Sequence, residues 1–239
     1  MEPDLAWTFE RYCAYERRRA AWSDDEQREA MSLGLVADPK SAPHGGYRVA
    51  CTWSAEVTVQ AGELSARLAA VVSGAPAYPR AAIHSSIGNL RPADGERLVD
   101  PHGVAADRQM LDRLCEAVLE ALQVLGGGRE HCTTVFGPGY LAPQMAYVFG
   151  RVEAGYWRLQ QAVHAASARA GVDLVNSWGP HLTLTRFGAP AGPDTACQAS
   201  KLLAAWRTVA SPPASIVVGY YTVGDGCFEV TTYRSFPMG

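Results

Sequence analysis

Apolar side chains recur along this chain in two rhythms. Steps of three and four residues mark helices: Met110, Leu111, Leu114, Val118, Leu122 and Leu125 predict one over 107–125. Leu64, Leu68, Val71 and Val72 predict a second over 63–72, and Tyr156, Leu159, Val163 and Ala166 a third over 155–170. A fourth is expected over 194–209. Alternation with β-branched residues predicts strands at 47–53, extending toward 59 as a hairpin arm, and at 133–136, 144–152, 215–223 and 227–233. Gly224-Asp225-Gly226 gives the last two a hairpin turn. Ahead of all these, Phe9, Tyr12 and Cys13 stand at helical spacing, and Ser23-Asp24-Asp25-Glu26 has the order of a capping box opening a second helix to 33. A Pro- and Gly-rich connector over 38–46 separates this segment from the rest.

Two further strands carry a polar face that the packing rhythm does not explain. In Gly179-Pro180-His181-Leu182-Thr183-Leu184-Thr185-Arg186-Phe187, alternation sends His181, Thr183 and Thr185 one way and Leu182, Leu184 and Arg186 the other. In Ala82-Ile83-His84-Ser85-Ser86-Ile87-Gly88, His84 and Ser86 share a face. Two imidazoles and two hydroxyls converging on one point can hold a phosphate and move two protons around it, because histidine titrates near neutrality as either donor or acceptor. Both motif strands follow a helix, so the halves of the chain repeat one pattern of helix, motif strand, helix and strand pair.

The pair of His-x-Ser/Thr motifs resembles the 2H phosphoesterase superfamily, which includes 2′-5′ RNA ligase-like proteins and cyclic nucleotide phosphodiesterases. The resemblance implies an α+β, duplicated, two-lobed fold with a central cleft between two antiparallel sheets. Residues 1–46 would form an N-terminal helical extension, and 47–239 the phosphoesterase-like domain, its lobes built with elements of 47–152 and 153–239. It implies His84 and His181 as the catalytic pair and Ser86 and Thr183 as phosphate-binding hydroxyls. The activity implied is cleavage of a nucleotide-like phosphodiester, such as a 2′,3′-cyclic phosphate or a short 2′-5′ or cyclic oligonucleotide. Where the superfamily prefers an apolar residue inside the first motif, this chain has Ser85. Trp178, Arg186, Tyr140, Tyr220 and Tyr221 are candidate contacts to base or phosphate. The sequence does not say which histidine is acid and which is base. Two rivals are an enzyme of different chemistry, such as a biosynthetic step, reusing the cleft, and a module that binds a phosphorylated nucleotide without turning it over.

Composition narrows the partners. The 239 residues are 48% hydrophobic and 19% charged, as in an ordinary globular protein. Six cysteines without a C-x-x-C pair fit reduced thiols, and neither a metal site nor a cofactor is expected. A net charge of −3, with Arg17-Arg18-Arg19 the one dense basic run, favours a small nucleotide or short oligonucleotide over long nucleic acid. No signal-peptide order or apolar span is read, so no membrane partner and a cytoplasmic location are expected.

Overall fold

The computed structural model describes residues 9–38, 44–90, 108–126, 132–175, 179–224 and 227–238. Two four-stranded antiparallel sheets share one apolar core, giving an α+β, two-lobed architecture. The first sheet has the order β2-β1-β7-β8, formed by β1 (His44–Thr52), β2 (Ser85–Leu90), β7 (Ser215–Gly224) and β8 (Cys227–Pro237). The second has the order β5-β4-β3-β6, formed by β3 (Thr134–Ala142), β4 (Met145–Val152), β5 (His181–Arg186) and β6 (Val209–Ser211). Five helices accompany them among the described residues: α1 (Phe9–Leu33), α2 (Ala55–Val71), α3 (Arg108–Val124), α4 (Ala154–Arg169) and α5 (Pro193–Leu203).

The repeat is visible in the topology. A strand, a helix and an antiparallel return strand make up β1-α2-β2, and the same unit recurs as β4-α4-β5. Each unit is followed by a helix, after which the chain reaches the other sheet: β3 directly, to lie beside β4, and β7 after the short β6 has paired with β3, to lie beside β1. The sheets therefore do not divide the chain at residue 152, because each is completed by a hairpin or strand from the opposite half. Both return strands, β2 and β5, are left at a sheet edge.

Several elements differ from the sequence reading for identifiable reasons. The expected break at Ser23 is absent, and α1 runs through it as one 25-residue helix. The Ser23 hydroxyl bonds back to the Arg19 carbonyl at 2.8 Å instead of capping a new helix. Helix α2 starts at Ala55, eight residues earlier than expected, because Val57 and Ala61 extend the buried stripe of Leu64 and Leu68 toward the N-terminus. Helix α5 stops at Leu203, and Val209 enters β6. The strand expected at 133–136 runs on to Ala142, with an irregularity between Phe136 and Gly139. Residues 1–8, 39–43, the Asp225-Gly226 turn and Gly127-Gly128 lie outside the described residues.

Helix α2 fixes the second motif strand through one buried polar side chain. Ser65, on the apolar face, donates to the Leu184 carbonyl at 2.6 Å and accepts from the Tyr78 amide at 2.7 Å. Leu184 is the residue of β5 skipped by the ladder with β4, so its carbonyl takes a side-chain donor. Ser65→Ala leaves a buried amide and carbonyl unmatched and is expected to cost about 2–4 kcal/mol in denaturant unfolding. A loss below ~0.5 kcal/mol would show that the tie carries no weight.

Candidate functional site

The site is set by a bulge that occurs twice. In β2 the ladder pairs Ser85 with Cys51, Ser86 with Ala50 and Gly88 with Val49, which skips Ile87. In β5 it pairs His181 with Phe149, Leu182 with Val148, Thr183 with Tyr147 and Thr185 with Ala146, which skips Leu184. Each bulge falls one residue after the motif hydroxyl, and each skipped side chain is fully buried in the common core. Directly paired residues of an antiparallel ladder lie on the same face. His181, Thr183 and Arg186 therefore share the face of Phe149, Tyr147 and Met145, while Thr185 turns to the other side and donates to the Pro76 carbonyl at 2.8 Å. This corrects the simple alternation, which put Thr185 with the motif and Arg186 against it. In β2 the corresponding face carries Ser86, paired with Ala50, and Asn89, paired with Arg48; His84 stands at the strand's entry, after a 3-10 turn over Arg80–Ala82.

The two motif edges meet directly. Ser85, the polar residue inside the first motif, is fully buried; it accepts from the Trp53 indole N–H at 3.1 Å and donates to the His181 carbonyl at 3.1 Å. The departure from the expected apolar residue is thus the bolt between the sheets. Both rings are oriented alike: His84 Nδ1 lies 2.6 Å from the Ala82 carbonyl and His181 Nδ1 lies 3.1 Å from the Gly179 carbonyl. A carbonyl only accepts, so Nδ1 carries the proton in each ring and Nε2 is the nitrogen left to gain or lose one. Burial, followed by the positive charge of Arg48, pushes His84 well below the usual imidazole range; the Ala82 bond opposes this, and His181 and Arg186 add to it.

Helix α1 covers part of the same face of the second sheet. A small apolar cluster of Tyr140, Ala142, Met145, Tyr147 and Phe149 lies there, apart from the main core. The Tyr147 hydroxyl donates to Ser23 Oγ at 2.7 Å, the Tyr147 ring meets His181 edge-on at 6.5 Å, and Arg19 stands 6.0 Å over Tyr147. Gly179 gives α1 its close approach, since a Cβ there would lie 2.8 Å from the Tyr12 hydroxyl. Just beyond α1, Asp38 forms an ion pair with Arg186 and is itself buried. A cavity of about 510 Å³ lined by Tyr15, Arg19, Glu26, Asp38, His181 and Arg186 opens between α1 and this edge.

The remaining candidates divide clearly. Tyr140 is buried against Tyr147, with ring centroids 5.8 Å apart, and Tyr220 is half-buried and packs on the main core. Tyr221 alternates to the opposite side and interacts with Arg48. Trp178 lies outside the described residues. Sequence reasoning missed Arg48, Ser85 and Asp38; a lone arginine within Tyr47-Arg48-Val49-Ala50-Cys51 was the one signal pointing to Arg48. Among the described residues, no His, Cys, Asp and Glu side chains gather in the way a metal ion requires, and no helix is long and apolar enough to cross a membrane.

No protein-family model and no curated protein matches the chain. Among solved structures it is similar to E. coli LigT complexed with 3′-AMP, at 14% identity and a TM-score of 0.42, over 81% of this chain and 97% of that one. It is also similar to a phosphoesterase, at 15% identity and 0.43 over 80% and 97%, and to the MHV ns2 PDE domain, at 13% and 0.45 over 79% and 99%.

Removing the Ser85 hydroxyl leaves the Trp53 N–H and the His181 carbonyl without their partner. Ser85→Ala is expected to lower unfolding stability by about 1–3 kcal/mol. Chemical denaturation with an unchanged m-value would establish it, and an unchanged midpoint would refute it.

Proposed function

We propose that this chain is a metal-independent phosphodiesterase of the 2H type, acting on a 2′,3′-cyclic phosphate or a short 2′-5′ or cyclic oligonucleotide. The observation that carries the reading is the matched pair of histidines, each at the entry of a bulged edge strand and each pinned through Nδ1 to a carbonyl two residues upstream. Such pinning fixes the tautomer and leaves both Nε2 atoms as the sites of proton exchange.

His84 is the general base, because burial and the cations around it keep it neutral at physiological pH. Its Nε2 takes a proton from water as the water oxygen bonds to phosphorus. His181 acts as the acid, passing the proton on Nε2 to the ribose oxygen as the P–O bond to that oxygen breaks. The product is a phosphomonoester and a free hydroxyl, and the two rings end with their protonation exchanged. Ser86 and Thr183, one per motif strand, donate to the non-bridging oxygens as charge builds on them. Arg186 is held by Asp38, so it orients that edge and leaves part of its charge neutralised. Residues 1–46 act as an extension whose helix walls one side of the cleft. The protein works in the cytoplasm, with its thiols reduced.

His84→Ala and His181→Ala should each lower kcat/KM on a 2′,3′-cyclic mononucleotide by on the order of 10²–10⁴-fold, with activity of the unaltered protein unaffected by EDTA. Loss of turnover in EDTA, restored by a divalent ion, would sink the metal-independent mechanism. The pH profile tests the base. A depressed His84 stays unprotonated through neutrality, so the acid limb of kcat/KM should fall below pH 6.5, the ordinary histidine value. The groups facing it are Arg48, His181 and Arg186, all of which disfavour its protonation. An acid limb above 6.5 would assign the base elsewhere.

A further inference from the structure

Arg48, on β1 opposite Asn89, is buried, and both its Nε and its Nη1 are without a hydrogen-bond partner. Among the described residues no acidic side chain pairs with it, although five other arginines, Arg19, Arg28, Arg80, Arg169 and Arg186, all form ion pairs. A guanidinium is among the most costly groups to bury unpaired, and its two orphaned donors lose hydration with nothing in return. We infer that Arg48 is a second anion subsite, taking a phosphate that adjoins the scissile one in a substrate with at least two phosphates. This deepens the phosphodiesterase reading and rests on it.

The position of the side chain supports that assignment. The duplicated bulge gives each lobe an equivalent cross-strand pair three residues past its motif hydroxyl: Asn89 with Arg48 in the first sheet, Arg186 with Met145 in the second. Each lobe thus brings one arginine to the same level of the fold, on opposite members of the pair. In the second lobe Asp38 answers the charge; in the first, no acidic side chain among the described residues does. Arg48 lies two residues from Ala50, the register partner of Ser86, so the subsite is displaced along the strand by about 6.6 Å from the motif hydroxyl. Consecutive phosphates of an oligonucleotide are separated by a comparable span. A planar guanidinium with two unpartnered nitrogens suits a phosphate better than a point charge would. Burial lowers its pKa to about 9, partly offset by Tyr221, so it remains a cation at neutral pH.

The test compares adenosine 2′,3′-cyclic phosphate with the same compound carrying a 5′-phosphate. Binding of adenosine 3′-phosphate and adenosine 3′,5′-bisphosphate is measured in parallel by calorimetry, in the full chain and in Arg48→Met and Arg48→Lys. The unaltered protein should favour the doubly phosphorylated member of each pair by roughly 30- to 100-fold. Arg48→Met should abolish that ratio, Arg48→Lys should keep part of it, and Arg48→Met should unfold at an equal or higher temperature because an unpaired buried charge has gone. Equal affinity for both members in the unaltered protein would overturn the subsite. So would an equal loss on both in Arg48→Met, which would place Arg48 on the scissile phosphate, and so would a lower unfolding temperature with the ratio intact. Should the bisphosphate preference depend on Arg48 while neither cyclic compound is hydrolysed, the subsite stands and the phosphodiesterase reading falls. Hydrolysis without a preference has the opposite meaning: the phosphodiesterase stands and the subsite falls. Should Arg48→Met fail to fold, the ratios in the unaltered protein and in Arg48→Lys still decide.

Discussion

The meeting of two sheet edges at Ser85 is the constraint on which the site depends. Edge strands carry unsatisfied backbone groups, and here two of them face one another without forming a ladder. A single hydroxyl resolves the mismatch by accepting from Trp53 in its own lobe and donating to the His181 carbonyl in the other. A continuous ladder would have merged the sheets and aligned the motif strands flat. The hydroxyl contact keeps the edges adjacent but separate, so that two histidines from different sheets come near enough for each to bear on the other's charge. The exchanged strands β3 and β7 secure this from behind, since neither lobe can swing away while the other completes its sheet.

The bulges supply the second ingredient. Skipping Ile87 and Leu184 adds an apolar side chain to the core in each motif strand and resets the alternation beyond it. A strand that presented a histidine and a hydroxyl every second residue then presents its next polar side chain after three. That reset brings Asn89 and Arg186 up beside the motifs and explains why an arginine can stand in the site on a strand whose simple rhythm would bury it.

Much of this was legible in the chain. The helical stripes of α3 and α4, the hairpin strands, and the two motifs on neighbouring elements follow from hydrophobic rhythm and from paired residue types. What the sequence could not show is long-range. Alternation cannot announce a bulge, because Leu184 and Thr185 look like any other strand residues until the ladder skips one. Ser23 has the pattern of a cap, yet inside α1 its hydroxyl has a backbone carbonyl four residues back and the hydroxyl of Tyr147, from another element, to satisfy it. Tyr220 and Tyr221 are equivalent on paper, and only their register against β1 separates the core residue from the one beside Arg48.

Helix α1 lies outside the repeated strand-helix-strand units, yet it covers Tyr147 and Met145, and the residues just after it bring Asp38 to Arg186. The repeated units alone would expose an aromatic patch and leave a second unanswered cation beside His181. An addition of this kind behaves like a ratchet in the history of a protein: once the surface beneath has become apolar and its arginine has come to rely on a borrowed carboxylate, the addition can no longer be lost without also losing the shape of the cleft it covers.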